Sequence, residues 1–161
     1  MIMDSTQNIL LNQSQPIRIF LVEDNLGDVF LINNTLQESL ANYQLDHVLN
    51  GVEAMKFLYQ EGEYAEVSRP DLILLDLNLP LKHGLDVLQE IKLTSELKMI
   101  PVIILTSSTR EQDILASYNS YASCYLSKPI NINDFINTIK SLEHFWLRLV
   151  QLPSRLEAQN N

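Results

Sequence analysis

The sequence predicts an α/β fold, a doubly wound five-stranded parallel sheet with helices on both faces. Three observations carry that expectation. Short, largely apolar runs recur along the chain, clearest at 17–22, 72–75 and 102–105. Unbroken runs of that length, bounded by turn residues, read as strands buried on both faces. Between them lie segments with apolar residues three and four apart, the helical period. Each of the clearest strands also runs straight into polar residues, as happens where the carboxyl ends of parallel strands meet ligands.

Taken in order, residues 1–15 are rich in Asn, Gln and Ser and lack a basic start followed by an apolar stretch. They read as a flexible leader and not as a signal peptide. The first strand, Ile17 to Val22, ends at Glu23 and Asp24, and Asn25 caps the helix that follows. Val29, Ile32, Leu36 and Leu40 make one apolar stripe on that helix. Tyr43 to Leu49 is a second strand, Asn50-Gly51 turns the chain, and Ala54, Phe57 and Leu58 line a short helix. A polar loop over residues 61–70 leads into the third strand, Leu72 to Leu75, with Asp76 directly after it.

Pro80 and Gly84 break the chain before a helix over 85–93 with Leu88 and Ile91 inward. Pro101 opens the fourth strand, where it removes no interior ladder bond, and the strand runs into Thr106-Ser107-Ser108-Thr109. A helix from Glu111 to Ser120 turns Ile114, Tyr118 and Tyr121 to one side. The fifth strand, Cys124 to Leu126, ends at Lys128-Pro129. A long last helix from Ile132 carries Phe135, Ile139, Leu142, Trp146 and Leu149, and Pro153 is expected to stop it. Alternation of this kind calls for right-handed crossovers and the flavodoxin-like strand order 2-1-3-4-5. One domain is expected over residues 16–152, between the leader and a polar tail at 153–161.

Composition narrows the partners. Twenty acidic against eleven basic residues give a formal charge of −9, a surface that repels phosphate backbones. Direct nucleic-acid binding is therefore not expected. No apolar run approaches the roughly eighteen residues of a membrane span, so no membrane insertion is expected either. The single cysteine, Cys124, reads as a small buried hydrophobe, forbids an internal disulfide and fits a reducing cytoplasm. His47, His83 and His144 show no zinc-type spacing.

In the predicted topology Glu23, Asp24, Asp76, Thr106 and Lys128 converge on one edge of the sheet. Taken singly, each has an ordinary reading as a cap, a solvated charge or a turn lysine. Together, crowded carboxylates repel, and a hard divalent cation relieves that repulsion. An all-oxygen cluster with few protein ligands suits Mg²⁺, with Asp24 and Asp76 as ligands and open positions left for water and phosphate. A carboxylate nucleophile, a metal, a hydroxyl and an ammonium are what phosphoryl transfer needs. Asp76 would attack, Lys128 would neutralise charge, and Thr106 would hydrogen-bond a phosphoryl oxygen.

At these residues the chain resembles the receiver domains of two-component response regulators. The matching pieces are Glu23-Asp24, Asp76 with Leu79-Pro80 and Gly84, Thr106-Ser107, and Lys128-Pro129, within a span from Ile17 to Leu149. The resemblance implies a phosphoacceptor signalling protein and not an enzyme with its own substrate. Asp76 would take a phosphoryl group from a sensor histidine kinase, and the Asn78 backbone carbonyl would join Asp24 and Asp76 on Mg²⁺, with Glu23 assisting. Thr106 and Tyr125 would form the switch pair. A narrower similarity, to single-domain regulators that partner cyanobacterial phytochromes, rests on Glu23 to Asp28, Asp76 to Pro80, Phe145-Trp146-Leu147 and Leu152-Pro153. His83 and Leu26 depart from the family's frequent Asp or Asn and proline.

With only a short polar tail after the last helix, output is expected through docking or dimerisation. Phe145 and Leu152 fall to one side of the last helix's main stripe, where little sheet remains to cover them. A homodimer is predicted through the fourth helix, fifth strand and last helix, using Ile114, Tyr118, Phe145, Trp146 and Leu152. Three other readings compete. A phosphorylation-independent scaffold would not need crowded carboxylates. An aspartate-nucleophile phosphatase would want an acid where Asn78 stands, and a cap. A nucleotide-binding Rossmann loop fails for lack of a glycine-rich turn after the first strand.

Overall fold

The computed structural model describes residues 15–39 and 41–157. Its strands are β1 (Ile17–Val22), β2 (Tyr43–Val48), β3 (Leu72–Leu75), β4 (Val102–Thr106) and β5 (Cys124–Ser127). The helices between and after them are α1 (Leu26–Gln37), α2 (Gly51–Leu58), α3 (Gly84–Leu93), α4 (Glu111–Asn119) and α5 (Ile132–Leu142). All strand pairings are parallel and the order is β2-β1-β3-β4-β5, as the alternation of elements predicts. Leu40, residues 1–14 and the end of the tail at 158–161 lie outside the described residues.

Successive strand residues face opposite layers. Phe20, Val22, Ile73, Leu75, Val102 and Ile104 pack with the inward residues of α2 and α3, and the Phe20 and Phe57 rings stack 4.1 Å apart. Ile19, Leu21, Leu72, Leu74, Ile103 and Leu105 pack with α1 and α5 on the other face. Asn25, Asn50 and Asn131 cap α1, α2 and α5 through their side chains. His83 caps α3, its Nδ1 accepting the Leu85 N–H at 3.2 Å, so the residue that departs from the family pattern still performs an aspartate's local task. Of α1 to α5, helix α4 is the least embedded. Only Ser117 is buried on it, while Leu115, Tyr118 and the following Tyr121 are exposed. No helix among the described residues is long and apolar enough to cross a membrane.

The C-terminal segment corrects the expected long α-helix. Helix α5 ends at Leu142, and residues Glu143–Leu149 are wound as a π-helix. The Val150 N–H reaches back five residues to the Phe145 carbonyl at 3.0 Å. Each such turn takes up about one residue more than an α-turn, which rotates the apolar stripe. Leu147 becomes buried in place of Trp146 and Leu149, and Leu149 is 58% exposed. Leu152, assigned from sequence to a dimer surface, is only 3% exposed and belongs to the core. Pro153 does not stop a helix but opens α6 (Pro153–Glu157), the first-turn position where its missing N–H costs nothing.

Beneath the amino-terminal edge of the sheet, α6 is tied down by polar contacts. Ser154 hydrogen-bonds Asp71, and Arg155 Nη1 lies 3.8 Å from Asp71 Oδ2 and reaches the carbonyls of Gln15 and Pro16. Asp71 also accepts the Arg18 N–H at 2.8 Å, which holds β3 to β1. The rewound segment makes a simple prediction for urea unfolding. Leu152→Ala should cost about 2–4 kcal/mol, as for a core leucine. Leu149→Ala should stay within about 0.5 kcal/mol. Equal losses would restore the straight-helix arrangement.

Candidate functional site

The strand register brings the polar strand ends level. Val22 pairs with Leu75, Leu75 with Ile104, and Thr106 with Ser127, so Glu23, Asp76, Thr106 and Lys128 all leave the sheet at one edge. Backbone hydrogen bonds carry the ladders past the strands: Asp76 N–H to the Val22 carbonyl at 3.0 Å, and Lys128 N–H to the Thr106 carbonyl at 2.7 Å. Asp76 and Glu23 are buried and Asp24 is exposed. One carboxylate oxygen from each of these three residues lies within 4.8 Å of the others. Hard oxygen donors alone, gathered so closely, fit a small hard divalent cation.

Lys128 enters this cluster from β5. Its Nζ lies 2.6 Å from Glu23 Oε2, 2.9 Å from Asp28 Oδ2 and 3.2 Å from Asp76 Oδ2. An ammonium has three protons to donate, and each has a carboxylate acceptor here. Burial pushes the Glu23 carboxyl up to about 7, against the lowering pull of Lys128 and with further help from Asp76. Burial works against the Lys128 charge too, but the hydrogen bonds it donates to Glu23 and Asp28, with the nearby Asp76 charge, outweigh it and hold the ammonium above the usual lysine range.

The loop after β3 is shaped by two glycines. A Cβ on Gly84 would stand 2.2 Å from the Asp76 carbonyl oxygen, and one on Gly51 would stand 2.1 Å from the Lys82 carbonyl oxygen. Both helix starts therefore press directly on the loop that follows Asp76. Within it the Gly84 N–H donates to the Leu77 carbonyl at 2.8 Å and the Asn78 N–H to Asp76 Oδ1 at 3.2 Å. Leu81 sits at φ 67°, a conformation uncommon for a leucine. Lys82 pairs with Glu90 on α3, and Glu90 also accepts the Tyr59 hydroxyl at 2.8 Å.

After β4 the central residue is Ser108. Its N–H lies 3.5 Å from Thr106 Oγ1, its hydroxyl donates to Asp113 at 2.5 Å, and its carbonyl accepts the Tyr125 hydroxyl at 2.8 Å. Tyr125 is thus turned toward the loop that starts at Thr106. Of the residues assigned to a dimer surface, Tyr118 is exposed with its hydroxyl accepting the Tyr125 N–H at 3.2 Å, and Ile114 is half-buried. Phe145 is 52% exposed and meets Trp146 edge to face, beside a cavity of about 600 Å³ that Leu126 and Leu142 also line.

Sequence reasoning places Asn78 and Ser108 beside the expected path of water, and it missed Asp28 as a contact-making residue of this edge. Asp28 stands three residues after a capping asparagine, where an acid is read as part of the cap.

The raised Glu23 carboxyl has a consequence for stability. Its pKa in the fold exceeds the value of about 4.5 in the unfolded chain, so the folded state binds more protons between those limits. That contribution is present below pH 4.5 and is lost as pH rises through about 7. With a chelator present, the wild-type melting temperature minus that of Glu23→Gln should fall over this range. A pH-independent difference would contradict the assignment.

Three comparisons with known proteins converge. The sequence model of the response regulator receiver domain matches residues 19–140. Response regulator Rcp1 of Synechocystis is 45% identical over 144 residues, covering 89% of this chain and 98% of that protein. The structure of the phosphorylated cyanobacterial phytochrome response regulator RcpA superposes with a TM-score of 0.84 at 48% identity, covering 86% of this chain and 99% of the other. The Mn²⁺-bound form of Rcp1 gives the same TM-score, 0.84, at 46% identity and the same coverage of 86% and 99%. With its fold, its strand-end acids and these matches agreeing, the chain belongs to the response regulator receiver domain family.

Proposed function

We propose that this chain is the phosphoacceptor of a two-component pathway, that Asp76 is the residue phosphorylated, and that a sensor histidine kinase of phytochrome type is the donor. The observation that carries the reading is the buried Asp76 carboxylate beside both the Lys128 ammonium, at 3.2 Å, and the acidic cluster with Glu23 and Asp24. A buried carboxylate is costly unless paired, and Lys128 supplies that pairing while leaving Asp76 beside the other acids. Similarity to Rcp1 and RcpA supports the phytochrome assignment.

An Asp76 oxygen forms the new O–P bond as the P–N bond to the kinase's histidine breaks, the electron pair staying on the imidazole nitrogen. Glu23, Asp24, Asp76 and the Asn78 backbone carbonyl would hold Mg²⁺, which when bound offsets negative charge on the transferring group. Lys128 neutralises a second part of that charge, and Thr106 donates its hydroxyl to a phosphoryl oxygen. The same groups assist attack of water on the acyl phosphate. Thr106 and Tyr125 act as the switch pair through Ser108, whose N–H faces the Thr106 hydroxyl and whose carbonyl holds the Tyr125 hydroxyl. Output runs through a homodimer that uses Ile114, Tyr118, Phe145 and Trp146, with the Phe145–Trp146 edge of the cavity as its apolar part.

Incubation with a phosphodonor and Mg²⁺ should label the wild type as a base-labile acyl phosphate, and Asp76→Asn should abolish the label. Undiminished labelling of that variant would sink the nucleophile assignment. Mg²⁺ at a hundredfold excess over its Kd should stabilise the fold by about 2.7 kcal/mol by mass action. Sedimentation across a concentration series, with and without phosphodonor, tests the homodimer: a monomer throughout rules it out, and Phe145→Ala should shift any dimer toward monomer.

A further inference from the structure

The proposed chemistry leaves one partner of Lys128 without a task. Asp28 is the third residue of α1, and its N–H is capped by Asn25 Oδ1 at 3.0 Å. An acid at that position ordinarily turns back to the N–H of the capping residue. Here Glu23 accepts the Asn25 N–H, at 3.1 Å, so the reciprocal half of the cap is already supplied from β1. The Asp28 carboxylate is left to face Lys128. At 2.9 Å it lies closer to Nζ than Asp76 does, with a side chain 26% exposed.

We propose that Asp28 is a positioning residue that fixes the Lys128 ammonium beside Asp76 during phosphoryl transfer. This rests on the phosphoacceptor reading above. Lysine carries a flexible four-carbon stem, and a single acceptor leaves its head group free to swing. Glu23 from the end of β1 and Asp28 from the first turn of α1 hold Nζ at two points. The third N–H, now donated to Asp76 Oδ2, is then free to turn its hydrogen bond to a phosphoryl oxygen as the Asp76 carboxylate becomes an acyl phosphate and loses its charge. Glu23 belongs to the three-carboxylate cluster that fits a cation, and Asp28 does not. Asp28 is therefore the anchor for which Lys128 has no competitor when a cation is bound.

The test measures the rate at which acetyl phosphate with Mg²⁺ labels the wild type, Asp28→Ala, Asp28→Asn, Lys128→Met and the double variant Asp28→Ala/Lys128→Met. Thermal melts establish that each is folded. Lys128→Met keeps the aliphatic stem, and Lys128→Gln serves in its place if the methionine variant does not fold. Asp28→Ala should slow labelling about tenfold, the size expected for losing one hydrogen bond to a charged group. Asp28→Asn, which keeps an acceptor oxygen, should recover most of the rate. In the Lys128→Met background Asp28→Ala should change nothing further. Three results would overturn the inference: no slowing, equal slowing in both backgrounds, or faster labelling from the loss of a negative charge that merely repels the donor. A wild type that takes no label, or an Asp76→Asn variant that still does, would instead overturn the phosphoacceptor reading itself.

Discussion

One ammonium surrounded by carboxylates sets the electrostatic problem of this molecule. Glu23, Asp28 and Asp76 all bond Lys128, and Asp24 adds a further negative charge at the mouth of the cluster. The desolvation of two buried carboxylates is severe, and one cation offsets only part of it. Burial pushes the Glu23 carboxyl up to about 7, against the pull of Lys128. A site in this condition gains stability from any added positive charge, and that property makes the strand edge responsive to a divalent cation. The sheet can carry it because its own packing, Phe20 to Leu105 on two full faces, does not depend on the edge.

The loops around Asp76 are built to keep backbone close to its carboxylate and side chains away from it. Gly84 and Gly51 let α3 and α2 start against the loop itself, at approaches where any Cβ would meet a carbonyl oxygen. Leu81 takes a left-handed conformation in the same loop, which costs energy that the surrounding contacts must supply. Those contacts include the Lys82–Glu90 pair, with Tyr59 on Glu90, which ties the loop to two helices. Under the proposed reading rigidity here serves position: the nucleophile and cation ligands come from a short stretch, and an error of an ångström at either would be felt in the rate.

What was legible from sequence divides along physical lines. The strands at 17–22, 72–75 and 102–105 were readable because burial on both faces demands continuous apolar runs, and the polar residues that end them mark the site edge. Glu23, Asp24, Asp76, Thr106 and Lys128 stood out for that reason. Asp28 did not, because its position relative to Asn25 has a sufficient local explanation, and only in the folded chain does Glu23 take over that role. The C-terminal segment misled for a different reason. A periodicity argument assumes α-helical winding, and after Leu142 the chain changes pitch, so Leu149 turns outward and Leu152 inward. Pro153 likewise has two legitimate helical readings, a stop or a first residue, and sequence favoured the wrong one.

Under the proposed reading, the route from site to surface runs through unequal elements. β1, β3 and β4 are locked on both faces and offer no second arrangement of similar energy. The segment from Thr106 to α4 differs: its ties are hydrogen bonds from Ser108 to Asp113 and Tyr125, and α4 buries only Ser117. A hydrogen bond exchanged for another costs little, whereas a core side chain displaced costs several kcal/mol, on the order of 2–5 for a leucine. New charge at Asp76 therefore has one inexpensive way to be accommodated, a rearrangement of the Thr106–Ser108 loop, and that loop already holds Tyr125. Because the Tyr125 N–H bonds the Tyr118 hydroxyl, the same movement reaches the exposed face of α4 without disturbing the sheet. The weak burial of α4 is then the feature that allows a buried, rigid acidic site to act at a surface.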